Sequence, residues 1–221
     1  LTAASGGGTV NGSSGDDIIE GSDNRDILVG SADDDELTGN DGNDDLFGGN
    51  GNDILIGGEG SDFLSGNDND DILWGGPGQD TLSGGNGTDL ADYSDETFGW
   101  TYDLINQTAS RIGLTETVEG IENFELGSGS DTFDGDDTDN VVNGNGGFDI
   151  LRGGEGDDTL RGGSGRDAHF GEEGNDTLIH DDDEFLASQT FDGGDDTDTI
   201  LLAGLDNDIV HFLGGDLVRS I

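Results

Sequence analysis

The sequence predicts an all-β fold, a parallel β-roll whose short strands stack as coils in two arrays joined by a β-rich spacer. Three observations predict it. Glycine, aspartate and a large aliphatic residue return on a nine-residue period, as in GGNGNDILIGGEGSDFLS at residues 48–65. Glycine makes up 44 of the 221 residues, about three times its usual share. The last three places of each phrase are mostly apolar or β-branched, which suits a very short strand.

The first array occupies residues 1–92. Counted from Gly12, nine phrases follow without a gap, opening on Gly12, Gly21, Gly30, Gly39, Gly48, Gly57, Gly66, Gly75 and Gly84. Their sixth places are Asp17, Asp26, Asp35, Asp44, Asp53, Asp62, Asp71, Asp80 and Asp89. Their eighth places are Ile19, Leu28, Leu37, Leu46, Leu55, Leu64, Leu73, Leu82 and Ala91. Glycines at the first, second and fourth places are expected at positive φ in tight bends. Alternation turns the eighth residue to one side of a strand and its neighbours to the other, so the aliphatic eighth column is the expected core. A single leucine cannot bury itself, and stacked neighbours complete the wall. Two phrases make one coil, rising by about 4.8 Å, the spacing of paired strands.

Residues 93–125 leave the period and form the expected spacer, with TFGWTYDLI (97–105) and ENFEL (122–126) reading as strands. The second array, 126–179, has Asp131, Asn140, Asp149, Asp158, Asp167 and Asp176 at its sixth places. Its eighth places are Phe133, Val142, Leu151, Leu160, His169 and Leu178. Residues 180–221 hold a degenerate repeat and a partial spacer; GGDDTDTIL, from Gly193, puts Asp198 and Ile200 back in register. Methionine is absent even at position 1, and the chain ends within a strand-turn-strand pattern. The expectation is a piece of a longer protein, with a neighbouring domain of that protein as a partner.

The charge points to what the aspartates do. Asp and Glu total 52 against six basic residues, a formal charge of -46. So acidic a chain does not collapse unless something cationic neutralises it. Nucleic acid and anionic membrane surfaces are poor partners for such a chain, since both need positive charge. No apolar run reaches the roughly 18 residues of a membrane-spanning helix. Cysteine is absent, so no disulfide or metal-binding thiolate exists.

Phrases two apart share an edge, one coil above the other. Asp53 and Asp71 therefore face a common gap, as do Asp62 and Asp80. Carboxylates so close repel unless a cation lies between them. Two aspartates and several turn carbonyls supply about six to eight oxygens, the set calcium takes, whereas magnesium demands a stricter octahedron. Zinc and copper are disfavoured without thiolates, and His169, His180 and His211 do not cluster by spacing. The expected ligands are Asp17, Asp26, Asp35, Asp44, Asp53, Asp62, Asp71, Asp80, Asp89, Asp131, Asp149, Asp158, Asp167, Asp176 and Asp198. Nine phrases offer seven same-edge pairs, hence about seven ions in the first array. The second array offers four pairs, one weakened by Asn140.

GGNGNDILI, GGEGSDFLS, GGEGDDTLR and GGSGRDAHF resemble the GGxGxDxUx nonapeptide of RTX (hemolysin-type) calcium-binding proteins. The resemblance implies a fragment of a bacterial protein exported by type I secretion, its arrays disordered without calcium and folded with it. The expected function is a calcium-binding module that folds on calcium binding and supports secretion and stability of a larger extracellular protein. Two alternatives stay open. One is an adhesin or surface-layer repeat region; the other is a polysaccharide-contacting module using Arg152, Arg161 and Arg166. No HExxH, GxSxG, Walker or cysteine nucleophile motif is present, so no catalysis is expected in this chain.

Three smaller expectations complete the picture. His169, at an inward place, is a core histidine. Asp33 to Asp35 and Asp181 to Asp183 are solvated acid runs, of which only Asp35 stands in the ligand column. Ile54, Ile56, Ile72, Trp74 and Leu90 point outward, and such an apolar patch calls for a cover. The spacer around Phe98, Trp100 and Tyr102, or a neighbouring domain, is the expected cover.

Overall fold

The computed structural model describes residues 1–3, 5–180, 190–202, 211–214 and 218–220. The acid run at Asp181 to Asp183 lies outside the described residues. Among the described residues the chain is all-β, with no helix and hence none long and apolar enough to cross a membrane. It divides into two compact units: Leu1–Asp92 with Thr108–Asn123, and Tyr93–Gln107 with Phe124–Ile221. The stretch 93–125 is thus shared between the units.

In the first unit consecutive strands alternate between two parallel sheets. One holds Thr9–Asn11, Ile27–Ala32, Asp45–Asn50, Phe63–Asp68 and Thr81–Asn86. The other holds Ile18–Glu20, Glu36–Asp41, Ile54–Glu59, Ile72–Trp74 and Leu90–Asp92. Leu28 pairs with Leu46, Leu46 with Leu64 and Leu64 with Leu82. Each step is two phrases, one coil of a parallel β-solenoid. All nine eighth-place residues, Ile19 to Ala91, are 0% exposed, because each is walled by its own column and by the facing sheet.

The strands run longer than a three-residue reading allows. Ile27–Ala32 and Ile54–Glu59 continue through the next phrase's first three places. After one break the ladder resumes, with Ser31 pairing Gly49 and Ala32 pairing Asn50.

The glycines divide their work differently from expectation. Positive φ falls at second places (Asn40 75°, Gly58 106°) and fourth places (Asp33 72°, Gly60 153°), where asparagine and aspartate also tolerate the left-handed region. No first-place glycine of the first array lies there. Those glycines are required by space, for a reason that belongs to the site described below.

The spacer contributes a hairpin that the sequence did not announce. Thr108–Arg111 pairs antiparallel with Leu114–Glu119, whose second half runs parallel to Thr81–Asn86, with Val118 beside Leu82. Val118 thereby continues the buried leucine column.

The second unit repeats the plan. Phe133, Leu151, His169 and Phe191 are successive register partners in one sheet; Val142, Leu160, Leu178 and Ile200 are the partners in the other. His169 is a fully buried core residue, its ring stacked on Phe191 at 4.7 Å. Burial holds its imidazole down at about 4, hence neutral.

The expected strand at 97–105 shortens to Thr101–Asp103. Trp100 and Tyr102 pack with Tyr93, and Tyr102 packs with Phe124 and Phe133, inside this unit. This corrects the covering role expected of Trp100 and Tyr102. Trp100 and Tyr102 are core residues, while Phe98 is 66% exposed, and Ile54 and Ile72 remain 40% and 38% exposed. Tyr102 is the register partner of Phe133 and so extends the inward column of this unit by one coil, where its ring buries a large apolar area.

Candidate metal centre

Each sixth-place residue stands where the chain leaves a turn and enters a strand. The strand ladder fixes it there: the seventh-place N–H of one coil donates to the sixth-place carbonyl of the coil before, as Ile72 does to Asp53 at 2.9 Å. The aspartates therefore stack one above another, one coil apart. On one edge of the first unit the column runs Asp17, Asp35, Asp53, Asp71, Asp89; on the other it runs Asp26, Asp44, Asp62, Asp80. In the second unit the columns are Asp131, Asp149, Asp167 and Asn140, Asp158, Asp176, Asp198.

Within a column one carboxylate oxygen has a fixed partner. The backbone N–H of Asp35 donates to Oδ1 of Asp53 at 2.8 Å, and that of Asp44 to Oδ1 of Asp62 at 2.7 Å. In the second unit Asp131 donates to Asp149 and Asp158 to Asp176 in the same way, at 2.8 and 2.9 Å. Asn140, although neutral, donates its N–H to Oδ1 of Asp158 at 2.7 Å.

The other oxygen has none. Oδ2 of Asp35, Asp44, Asp53, Asp62, Asp71, Asp80, Asp89, Asp131, Asp149, Asp158, Asp167, Asp176 and Asp198 is buried without a hydrogen-bond partner. Leaving a buried carboxylate oxygen unsatisfied is costly, more so for the charged form. The remaining two expected residues differ. Asp17, in the outermost coil, is only half-buried. Asp26 is buried but satisfied: its Oδ2 accepts from the Ser22 N–H and hydroxyl at 2.7 and 2.9 Å, and its Oδ1 from the Gly8 N–H at 2.5 Å.

What surrounds the orphaned oxygens is more acceptor than donor. A Cβ placed on Gly57 would stand 2.6 Å from both Asp62 Oδ2 and the Gly75 carbonyl oxygen. On Gly48, Gly66 or Gly153 it would collide with Oδ2 of Asp53, Asp71 or Asp158. The first-place glycine is thus a cradle: its missing side chain leaves room where a carboxylate oxygen and a carbonyl of the next coil approach. Acceptors alone call for a proton, a donor such as water, or a cation, and the stacking of carboxylates one coil apart favours positive charge.

The titration behaviour agrees. Burial pushes Asp71, Asp80 and Asp158 up to about 7 and Asp149 up to about 8, with neighbouring carboxylates adding to the rise and the backbone hydrogen bond opposing it. Among the described residues no three His, Cys, Asp or Glu side chains converge on one point. A cation held here draws on two carboxylates and on backbone carbonyls, the ligand mix of a hard divalent ion.

Besides Gly8, which precedes Asp26, three residues missed in sequence stand in these columns. Asp89 N–H donates to Glu122 Oε2 at 2.9 Å. Thr117 N–H donates to the Asp80 carbonyl at 3.1 Å, which puts Glu116 at the sixth place. Trp100 N–H donates to Asp131 Oδ1 at 2.7 Å, so tryptophan opens the second unit's column. The signal for Glu122 was legible in ENFEL, where an acid two residues before Phe124 repeats the Asp-x-Leu spacing. Of the arginines, Arg152 pairs with Asp134 at 2.6 Å and lies over the Phe170 ring.

Comparison with known proteins agrees with the geometry. A family model described as the RTX calcium-binding nonapeptide repeat (4 copies) matches residues 2–37, 20–55, 56–91, 117–151 and 143–178, reaching into the spacer from residue 117. No curated protein matches the chain. Among solved structures, it is similar to the extracellular lipase LipA from Serratia marcescens, with 18% identity and a TM-score of 0.19. That match covers 85% of this chain and 32% of the lipase, so the chain spans less than half of that structure.

Proposed function

Since this chain belongs to the RTX calcium-binding nonapeptide repeat family, we propose that it is a calcium-triggered folding module, supporting secretion and stability of a larger extracellular bacterial protein. The observation that carries the proposal is the column of buried Oδ2 atoms without partners. The proposed ligands are the sixth-place aspartates, from Asp17 to Asp89 in the first unit and from Asp131 to Asp198 in the second, together with turn carbonyls; Asp26 is set apart, because Ser22 and Gly8 already satisfy its carboxylate.

Bound calcium supplies positive charge and room for several oxygen ligands. The chain's own residues do the rest. Without an ion the stacked carboxylates repel one another and face buried acceptors, so the coils resist closing. With the charge neutralised, the Oδ1 bonds and the leucine columns hold successive coils together, and binding free energy becomes folding free energy. Extracellular calcium modules bind at about 10⁻⁴ to 10⁻³ M. Such a module stays open inside a cell and closes outside, which suits passage through a secretion channel. Catalysis, where the parent protein has any, is placed outside this chain.

The test is far-UV circular dichroism with chelator and with calcium, paired with calorimetric ion counting. The expected result is an open chain in chelator and a β spectrum with several bound ions in millimolar calcium. A full β spectrum in chelator above about pH 8, where the column carboxylates are ionised, overturns the proposal.

A further inference from the structure

We propose that Glu122, in the spacer, closes one further calcium site at the end of the Asp17-to-Asp89 column, sharing the ion with Asp89. This rests on the calcium reading above but involves a residue outside the unbroken run of nonapeptides.

The register identifies the position. Thr117, Val118 and Glu119 pair with Thr81, Leu82 and Ser83, so Gly120 follows its strand as Gly84 follows its own. Gly85 N–H donates to the Gly120 carbonyl at 3.3 Å, as Gly58 N–H does to that of Gly75 at 3.0 Å. Gly120 is therefore a first-place glycine. Asn123 N–H donates to the Asp89 carbonyl at 2.9 Å, as Leu90 N–H does to that of Asp71 at 2.8 Å. Asn123 is therefore a seventh-place residue, and Glu122 before it holds the sixth place. The hydrogen bond that defines the column is also present: Asp89 N–H to Glu122 Oε2 at 2.9 Å, against 2.8 Å from Asp71 N–H to Asp89 Oδ1.

Side-chain chemistry fits the altered turn. Five residue steps separate Gly84 from Asp89, but only two separate Gly120 from Glu122. The shorter turn sets its backbone differently, and the extra methylene of glutamate restores the reach of the carboxylate. Asp89 is fully buried and its Oδ2 has no partner. A Cβ on Gly84 would collide with both that oxygen and the Gly120 carbonyl. The same cradle recurs here, with a glutamate as the upper carboxylate, and a hard divalent cation with oxygen ligands is what it takes.

A purely structural role for Glu122 is to cap the Asp89 N–H. Glutamine performs that role equally well, because its carbonyl oxygen still accepts, but it removes the charge. The experiment compares the parent chain, Glu122→Gln and Glu119→Gln, whose wild-type glutamate is exposed. Calcium bound per chain is counted by calorimetry, and folding in saturating calcium is followed by circular dichroism. The expected result is one ion fewer for Glu122→Gln and an unchanged count for Glu119→Gln. An unchanged count and midpoint for Glu122→Gln, with a parent that binds calcium, overturns the Glu122 site and leaves the wider reading standing. A parent chain that binds none overturns both. Should Glu122→Gln fail to fold, Glu122→Asp decides: its shorter reach raises the calcium needed for folding at least twofold, and an unchanged midpoint overturns the proposal.

Discussion

The backbone N–H of Asp53 donates to Oδ1 of Asp71, 2.7 Å away and one coil further on, while Oδ2 of Asp71 is buried with no partner. One carboxylate thus does two separable things. Oδ1 ties two coils together, and Oδ2 is the oxygen that the proposed calcium would take.

Substitution at Asp71 separates them. Asp71→Asn keeps an acceptor for the Asp53 N–H and loses the charge, so it should raise the calcium midpoint with little change in stability at saturating calcium. Asp71→Ala also orphans that buried N–H, adding about 1–3 kcal/mol of destabilisation. Urea unfolding at saturating calcium, alongside calcium titration, distinguishes the two.

The first-place glycines should be sensitive for steric reasons. Gly66→Ala places a methyl against Asp71 Oδ2, at a residue with ordinary φ. The expected outcome is a lower calcium count or a higher midpoint. Gly15→Ala is the contrast, because Gly15 has φ 89° and nothing near it. That change should cost about 1–2 kcal/mol of backbone strain and leave the ion count alone.

Acidity should act on the metal-free chain in a predictable direction. Asp71, Asp80, Asp158 and Asp149 titrate at about 7 to 8 when folded without metal, against about 4 in an unfolded chain. Between these limits the folded chain binds more protons than the unfolded one, so its stability falls as pH rises from about 4 to 8. In chelator, β content should grow as pH is lowered through that window. Calcium must displace these protons, so its midpoint should fall as pH rises, with protons released on binding. Calorimetry in buffers of different ionisation enthalpy measures the release; a pH-independent midpoint contradicts it.

Inward and outward places on one strand should respond unequally. Leu55→Ala removes a fully buried side chain and should cost about 2–5 kcal/mol. Ile54→Ala, its exposed neighbour, should stay within about 1 kcal/mol, the range of ordinary surface changes. Urea unfolding at saturating calcium measures both.

His169→Leu should stabilise the second unit. The imidazole is fully buried, with only the Thr190 backbone, among the described residues, offering it a polar contact, so leucine restores the column and removes a desolvation cost of about 1–3 kcal/mol. A rise in the unfolding midpoint at saturating calcium is expected, after allowance for the lost stack on Phe191.

How much was legible in the sequence follows from the architecture. In a solenoid, spacing is a contact map: residues 18 apart are neighbours, so Leu46 over Leu28 and Asp71 over Asp53 could be read directly from the period. The same logic fails where the period breaks. Glu122 follows Asp89 by 33 residues, with a hairpin in between, and only the folded path brings them together. Trp100 and Tyr102 did not serve as a surface cover because the strand register sets Tyr102 beside Phe133 and Trp100 beside Asp131, 31 residues on, an interval the nonapeptide period does not give.

The sequence by itself determined the period, hence the coil, the inward leucine columns and the edges on which carboxylates gather, because each follows from counting residues along a regular strand. Only the tertiary structure decided which carboxylate oxygen is bonded and which is orphaned, why the first glycine must lack a side chain, that Ser22 satisfies Asp26, and that a glutamate ends an aspartate column. Those depend on where carbonyls and side chains of different coils meet in space, and that is set by packing and not by intervals along the chain.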